Sequence, residues 1–162
     1  MYQPQQNMCV LQTGNTDKPV AEDGYATSWI VVEDPEVKGD PYPVGRIDAI
    51  NLSTGVQAWH YEQRAAMLGT AVSTAGGLVF AGDIDRRFMA FDDETGEVVW
   101  QTIVSGPVSG SAISYAVDGR QYIAVPVGGG TASPERRALS IHTELKPPRD
   151  SLALFVFALP ER

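Results

Sequence analysis

The chain has 162 residues, 43% of them apolar and 20% charged, with a formal net charge of −8. That is enough for one ordinary domain with a real core, and the composition is globular rather than disordered. An acidic balance without a lysine or arginine block argues against nucleic acid or anionic membrane as the main partner; the single cysteine, Cys9, excludes an intrachain disulfide, and no apolar run is long enough for a membrane span.

The N-terminal stretch MYQPQQNMCV has neither the basic region nor the apolar stretch of a signal peptide. Taken literally it reads as cytoplasmic, and it equally fits a chain whose true beginning lies upstream. Cys9 reads as a buried spectator thiol, since free cysteine packs as a small apolar residue.

Helical periodicity is nearly absent. Short apolar or alternating runs, punctuated by Gly, Pro and Asp-Gly, predict strands at TSWIVVE (Thr27 to Glu33), GRIDAIN (Gly45 to Asn51), VQAWHYE (Val56 to Glu62) and GLVFAGD (Gly77 to Asp83). RFMAFD (Arg87 to Asp92), EVVWQTI (Glu97 to Ile103) and SAISYAV (Ser111 to Val117) continue the series, and RQYIAVPVG (Arg120 to Gly128) and LALFVFAL (Leu152 to Leu159) complete it. The chain is all-β. Asp118-Gly119 predicts a tight type I′ hairpin, and Thr54-Gly55 and Thr95-Gly96 each predict a strand-joining turn with glycine left-handed. Two stretches interrupt the pattern as loop excursions, at about 13–42 and 128–150.

INLSTGVQAWHYE (Ile50 to Glu62) and FDDETGEVVWQTI (Phe91 to Ile103) are two copies of one segment. At a constant offset of 41 residues Arg46 falls on Arg87, Ala49 on Ala90, Asn51 on Asp92, Thr54 on Thr95, Gly55 on Gly96 and Trp59 on Trp100. That period in an all-strand chain is the mark of propeller blades, one four-stranded sheet per repeat. The small Ala leaves room for a neighbouring sheet, and the indole can lie across the gap to the next blade. Trp59 and Trp100 therefore read as mortar between blades rather than as a substrate platform. The acidic run Asp92, Asp93, Glu94 suggests a metal site, but Asn51, Leu52 and Ser53 fill the same turn in the other copy, so a turn-forming role fits better. Asp83 and Asp85 have no histidine or third carboxylate at ligand spacing, and His60 and His142 read as surface or strand histidines.

The chain from GRIDAINLSTGVQAWHYEQ through TAGGLVFAGD (Thr74 to Asp83), YAVDGRQYIAV (Tyr115 to Val125) and LFVFALP resembles the C-terminal part of the pyrroloquinoline quinone (PQQ)-dependent alcohol dehydrogenases, the methanol and ethanol dehydrogenase-like quinoproteins. The resemblance implies an eight-bladed propeller that binds PQQ and Ca²⁺ or a lanthanide on its axis. It further implies alcohol oxidation in the periplasm by hydride transfer to the quinone, with electrons passed to a cytochrome c. A chain of 162 residues supplies about three blades of such a ring, a partial β-propeller. The family's metal ligands, catalytic aspartate and adjacent cysteine pair have no counterpart here, so no catalytic or metal-ligating residue is assigned. The chain is expected to be a C-terminal fragment or a piece of a split enzyme, inactive without the remaining blades. By the same resemblance Gln6 and Asn7 lie near the quinone carboxylates or carbonyls. Leu68, beside Met67, and Gly69 take the place of the floor under the cofactor, where the family often has tryptophan. Gly128 to Gly130 match a family loop near the cofactor, and a flexible turn accounts for them equally well. The alternative is a non-catalytic propeller scaffold with the same repeat, of the outer-membrane assembly lipoprotein type.

Overall fold

The computed structural model describes residues 1–14, 27–129, 133–148 and 150–160. Each of the predicted strands is present within a residue or two of its expected bounds. In chain order the elements are β1 (Tyr2–Gln6), β2 (Cys9–Gly14), β3 (Thr27–Val32), β4 (Gly45–Ile50), β5 (Gln57–Gln63), β6 (Val72–Thr74) and β7 (Leu78–Gly82). There follow β8 (Arg87–Asp92), β9 (Val98–Ile103), β10 (Ile113–Val117), β11 (Arg120–Val127), a helix α1 (Ser133–Ile141) and β12 (Ala153–Ala158).

Every strand pairs antiparallel, in sheets ordered β1-β4-β5, β6-β7-β8-β9 and β10-β11-β12, with β2 and β3 forming a separate ribbon. The repeat is a repeat of structure. Ala49 faces Trp59 and Ala90 faces Trp100, and the register slips immediately after each of these alanines. Gly55 and Gly96 both turn the chain with positive φ, 71° and 76°. Asp118 and Gly119 are both left-handed as well, φ 50° and 79°, as a type I′ hairpin requires.

The middle sheet is a complete four-stranded blade, and its neighbours are each one strand short of it. The pairing of β1 on β4 and β4 on β5 reproduces β7 on β8 and β8 on β9, so the first sheet lacks a counterpart of β6 among the described residues. The third sheet reproduces β6-β7-β8 and, among the described residues, lacks a counterpart of β9.

Pro4 faces Ile47, Gly82 faces Phe88 and Pro126 faces Leu154, one position repeated in all three sheets. In the second and third sheets the innermost strand stops pairing two residues earlier, at Phe80 and Ala124. A proline there leaves no ladder hydrogen bond unmade, which is why a strand can carry it.

The core lies between the sheets. Ile47, Ala49 and Trp59 interlock with Val79, Ala81, Met89 and Phe91; Phe80, Phe88 and Ala90 interlock with Ile123, Val125 and Val127. A third cluster joins both excursions: Tyr42 and Val44, then Ala65, Ala66 and Ile84, then Ala138 and Leu145 around α1. The excursions are thus not plain loops. The first carries β3, which pairs with β2 just before it, and the second carries α1, which the near absence of helical period does not predict. The local signal was there: Ser133-Pro134-Glu135 is a helix-start sequence, with proline where its missing N–H costs nothing.

Candidate cofactor-binding face

Antiparallel alternation sorts the connections onto two ends. The Thr-Gly turns at 51–56 and 93–97 and the hairpins at 75–77 and 118–119 lie at one end. At the other lie the described residues of the segments 7–44 and 128–152, the sheet-to-sheet connections 64–71 and 104–112, and the turn 83–86. Backbone hydrogen bonds knit this second end together: Ile84 N to Ala66 O at 3.0 Å, Val108 N to Asp83 O at 2.9 Å and Gly128 N to Pro107 O at 2.9 Å. Gln6, Asn7, Leu68, Gly69 and Gly128 all fall on it; Gly130 lies outside the described residues. Asp92 Oδ1 accepts from the backbone N–H of Glu94 (3.1 Å) and Thr95 (2.8 Å) and from the Thr95 hydroxyl (3.0 Å), a turn-forming carboxylate.

Each candidate residue has a definite setting. Asn7 follows β1, and its side-chain N–H groups are engaged: they donate to Pro43 O (3.0 Å) and Glu62 Oε1 (3.3 Å), and its backbone carbonyl accepts the Tyr42 hydroxyl at 2.8 Å. Gln6 is different. Its Oε1 is buried and has no hydrogen-bonding partner, which is costly unless another group meets it. Leu68 is half-buried and packs against the Tyr42–Ile84–Ala138 cluster, while its neighbour Met67 is fully buried. Gly69 is fixed by close approach, since a Cβ there would sit 2.6 Å from the carbonyl oxygen of Gly110. Gly110 stands 41 residues on, so the repeat extends to the entry of the innermost strands.

The ionisable groups of this face are neutralised by one another. Asp83 is wholly buried and accepts from the Arg87 backbone N–H (2.9 Å), Arg87 Nε (2.7 Å) and Gln63 Nε2 (3.0 Å). Burial pushes its carboxyl above the ordinary range, with Arg87 opposing. Arg46, at the same place in the repeat, reaches Asp48 and Glu62 instead, both at 2.9 Å. Asp48 also takes hydrogen bonds from Gln5 and Gln57. Among the described residues no group of His, Cys, Asp and Glu is placed to hold a metal ion.

Sequence reasoning missed the groups that join the excursions. His142, read as a surface or strand histidine, is buried just beyond α1, with Nε2 2.6 Å from the Tyr42 carbonyl oxygen. His60 is exposed on β5, as expected. Cys9 is half-buried rather than buried.

Residues 13–123 match the beta-propeller domain of the PQQ-binding glucose/ethanol/alcohol dehydrogenases. The chain belongs to this family. It is 32% identical over 140 residues to a quinohemoprotein alcohol dehydrogenase of Comamonas testosteroni, the match covering 80% of this chain and 19% of that enzyme. It is 34% identical over 91 residues to the quinoprotein alcohol dehydrogenase PedH of Pseudomonas putida, covering 56% of this chain and 15% of that one. A europium-containing methanol dehydrogenase superimposes with a TM-score of 0.81 at 26% identity, over 98% of this chain and 30% of its own. The chain thus spans less than a third of the length of these relatives, and the fold it shares with them is the propeller.

Proposed function

We propose that the chain is the C-terminal portion, residues 1–162, of a PQQ-dependent alcohol dehydrogenase, contributing three blades to a larger ring. In that ring an alcohol is oxidised by hydride transfer to PQQ in the periplasm, and the electrons pass to a cytochrome c. The observation that carries the reading is the family match across 13–123, joined to a fold that agrees with a solved methanol dehydrogenase over almost the whole chain. The two incomplete sheets point the same way, since each leaves an edge that a further strand would complete.

The residues present fit a rim of the cofactor site and not the whole of it. PQQ when bound supplies the hydride acceptor, and a Ca²⁺ or lanthanide ion beside it the Lewis acid. The buried, unpartnered side-chain oxygen of Gln6 offers hydrogen-bonding capacity to PQQ. Rotation about its last torsion presents its N–H donors in place of the oxygen. Asn7 contributes through the segment it braces, because its own amide is bound to Pro43 and Glu62. Leu68 and Gly69 would line the floor as an aliphatic surface, excluding water without an aromatic stack. The metal ligands and the general base are assigned to the blades that precede this chain.

Dye reduction with PQQ, Ca²⁺ or a lanthanide, and a primary alcohol tests the proposal. We expect none from the purified chain, and PQQ- and metal-dependent turnover once it is joined to the preceding blades of its own gene. Robust turnover by residues 1–162 alone would place the chemistry in the wrong blades. Failure of the complete ring to use PQQ would remove the dehydrogenase reading.

A further inference from the structure

The first two sheets carry the same repeat but finish their outer edges differently. β5, the outermost strand of the first sheet, has His60 and Glu62 where β9 of the second has Gln101 and Ile103, 41 residues on. A charged side chain on an edge strand discourages other chains from pairing with it. β9 has no such guard. Its sequence VVWQTI is free of charge and proline, and Val99 and Ile103 are exposed. Among the described residues nothing pairs with its outer edge.

That edge has main-chain groups to offer. Val104 N–H donates to Arg86 O across the β8–β9 pair, while Arg87 turns its carbonyl the other way, to Asp83 N–H, both at 2.9 Å. Antiparallel alternation then directs the N–H and C=O of Gln101 and Ile103 outward, away from β8. Beside them runs a groove of about 880 Å³ between the first and second sheets, whose lining includes Tyr61, Arg87, Glu97, Val98 and Gln101. A strand laid along β9 sends every second side chain into this groove.

The repeat also shows which side chain the groove lacks. Arg46 is met by Glu62, directly across from it on β5, with Nη1 and Oε1 2.9 Å apart. Arg87 holds the same place in the second sheet, but the residue across from it is Ile103. Its Nε and Nη2 reach Asp83 and Gln63 instead, both at 2.7 Å. We propose that the outer edge of β9 docks an extended segment of a partner polypeptide, which joins the second sheet as an antiparallel fifth strand and carries a glutamate where it passes Ile103. That glutamate stands to Arg87 as Glu62 stands to Arg46, and the next groove-facing residues, apolar ones, lie toward Tyr61 and Val98. Main-chain hydrogen bonds to Gln101 and Ile103 supply the affinity, and the groove supplies the selectivity. β9 is the outermost strand of a complete blade, so further blades on either side leave its edge open. The inference concerns the rim and does not depend on the quinone chemistry.

Titration of the whole chain with the blocked heptapeptide acetyl-Thr-Glu-Thr-Val-Thr-Val-Thr-amide, followed by amide NMR shifts, provides the test. Saturable shifts should appear at Gln101 and Ile103. Methylating the backbone nitrogens of the probe's second and fourth residues, which face β9, should weaken binding at least about tenfold. Methylating those of the third and fifth, which face solvent, should change it less than about twofold. Glutamine in place of the probe's glutamate should weaken binding about fivefold. Ile103→Glu, which gives β9 the residue β5 has, should abolish binding and leave the thermal midpoint nearly unchanged. No saturable binding of the probe, equal losses from the two methylated forms, indifference to the glutamate, or full binding by Ile103→Glu would each overturn the proposal. So would self-association of the chain that Ile103→Glu abolishes, since it would assign the edge to a second copy.

Discussion

Trp59 and Trp100 hold the same place in two copies of one repeat, yet Trp59 is 8% exposed and Trp100 is 40% exposed. Each faces an alanine across its own sheet and meets a phenylalanine of the next: Trp59 stacks on Phe91 with centroids 6.2 Å apart, and Trp100 meets the Phe157 edge at 5.3 Å. The difference lies beyond the phenylalanine. The indole N–H of Trp59 donates to Asp93 O at 2.9 Å, and the Thr95-Gly96 turn closes over the ring so tightly that a Cβ on Gly96 would sit 2.6 Å from it. The corresponding turn over Trp100 would follow β12, where the described residues end at Pro160. A repeat motif specifies the indole; its burial is specified by the next sheet.

That comparison can be broken by mutation. Trp59→Ala should cost about 3–5 kcal/mol in urea denaturation and Trp100→Ala about half as much, because only the first empties a closed cavity. Equal losses would show that exposure is not what separates them. Gly96→Ala should cost about 2–3 kcal/mol and Gly55→Ala only about 1. Both glycines are left-handed, but a Cβ at Gly55 meets nothing within 4 Å.

The two outer sheets extend the contrast. The far face of the third sheet exposes Ile113, Tyr115, Val117, Leu154 and Val156, whereas that of the first carries Gln5, Arg46, Asp48 and Glu62 in a hydrogen-bonded network. An apolar face of that kind drives association. Sedimentation of the isolated chain should show self-association that Tyr115→Glu with Leu154→Glu abolishes and Gln3→Glu does not. A monodisperse monomer before mutation would contradict this.

The smallest effect expected is at the turn. Hydrogen bonds from Thr95 hold the Asp92 carboxyl below its ordinary range. Its contribution is present above the carboxylate range and is lost as pH falls through it. Asp83, in the turn before β8 and raised by burial, contributes with the opposite sign. Asp92→Asn should leave stability at neutral pH nearly unchanged, since Asn51 fills the same position, and should flatten the acid limb of a denaturation series. An undiminished acid limb would mean other carboxylates set it.

Period-two alternation made strands such as β4, β7, β8 and β11 legible because they have one face in a core, whereas β3 and β10 were read from their β-branched and aromatic runs alone. Three escaped for physical reasons. β1 carries Pro4 and three glutamines, and among the described residues it is an edge strand, where a proline is tolerated. β6 is three residues long, and β2 lies in a ribbon with Val10 and Leu11 exposed, so neither shows a buried period. The Trp59 contact was foreseeable from the repeat, whereas the burial of His142 depends on a carbonyl a hundred residues distant. Gln6, Asn7, Leu68 and Gly69 were reached through family resemblance and not through a residue pattern. What the structure adds is that they share one end of the sheets, and that the amide of Gln6, unlike that of Asn7, has capacity to spare.

The central claim is that these three sheets are part of a larger quinoprotein ring. The intact mass of the native gene product, measured together with anything that copurifies, tests it most directly. Since 98% of this chain matches 30% of a solved methanol dehydrogenase, the account predicts a total mass roughly three times the 17.5 kDa of this sequence. One polypeptide, or this chain with a companion that supplies the missing blades, makes up that total. A native protein of 17.5 kDa per chain, with no companion, would contradict it.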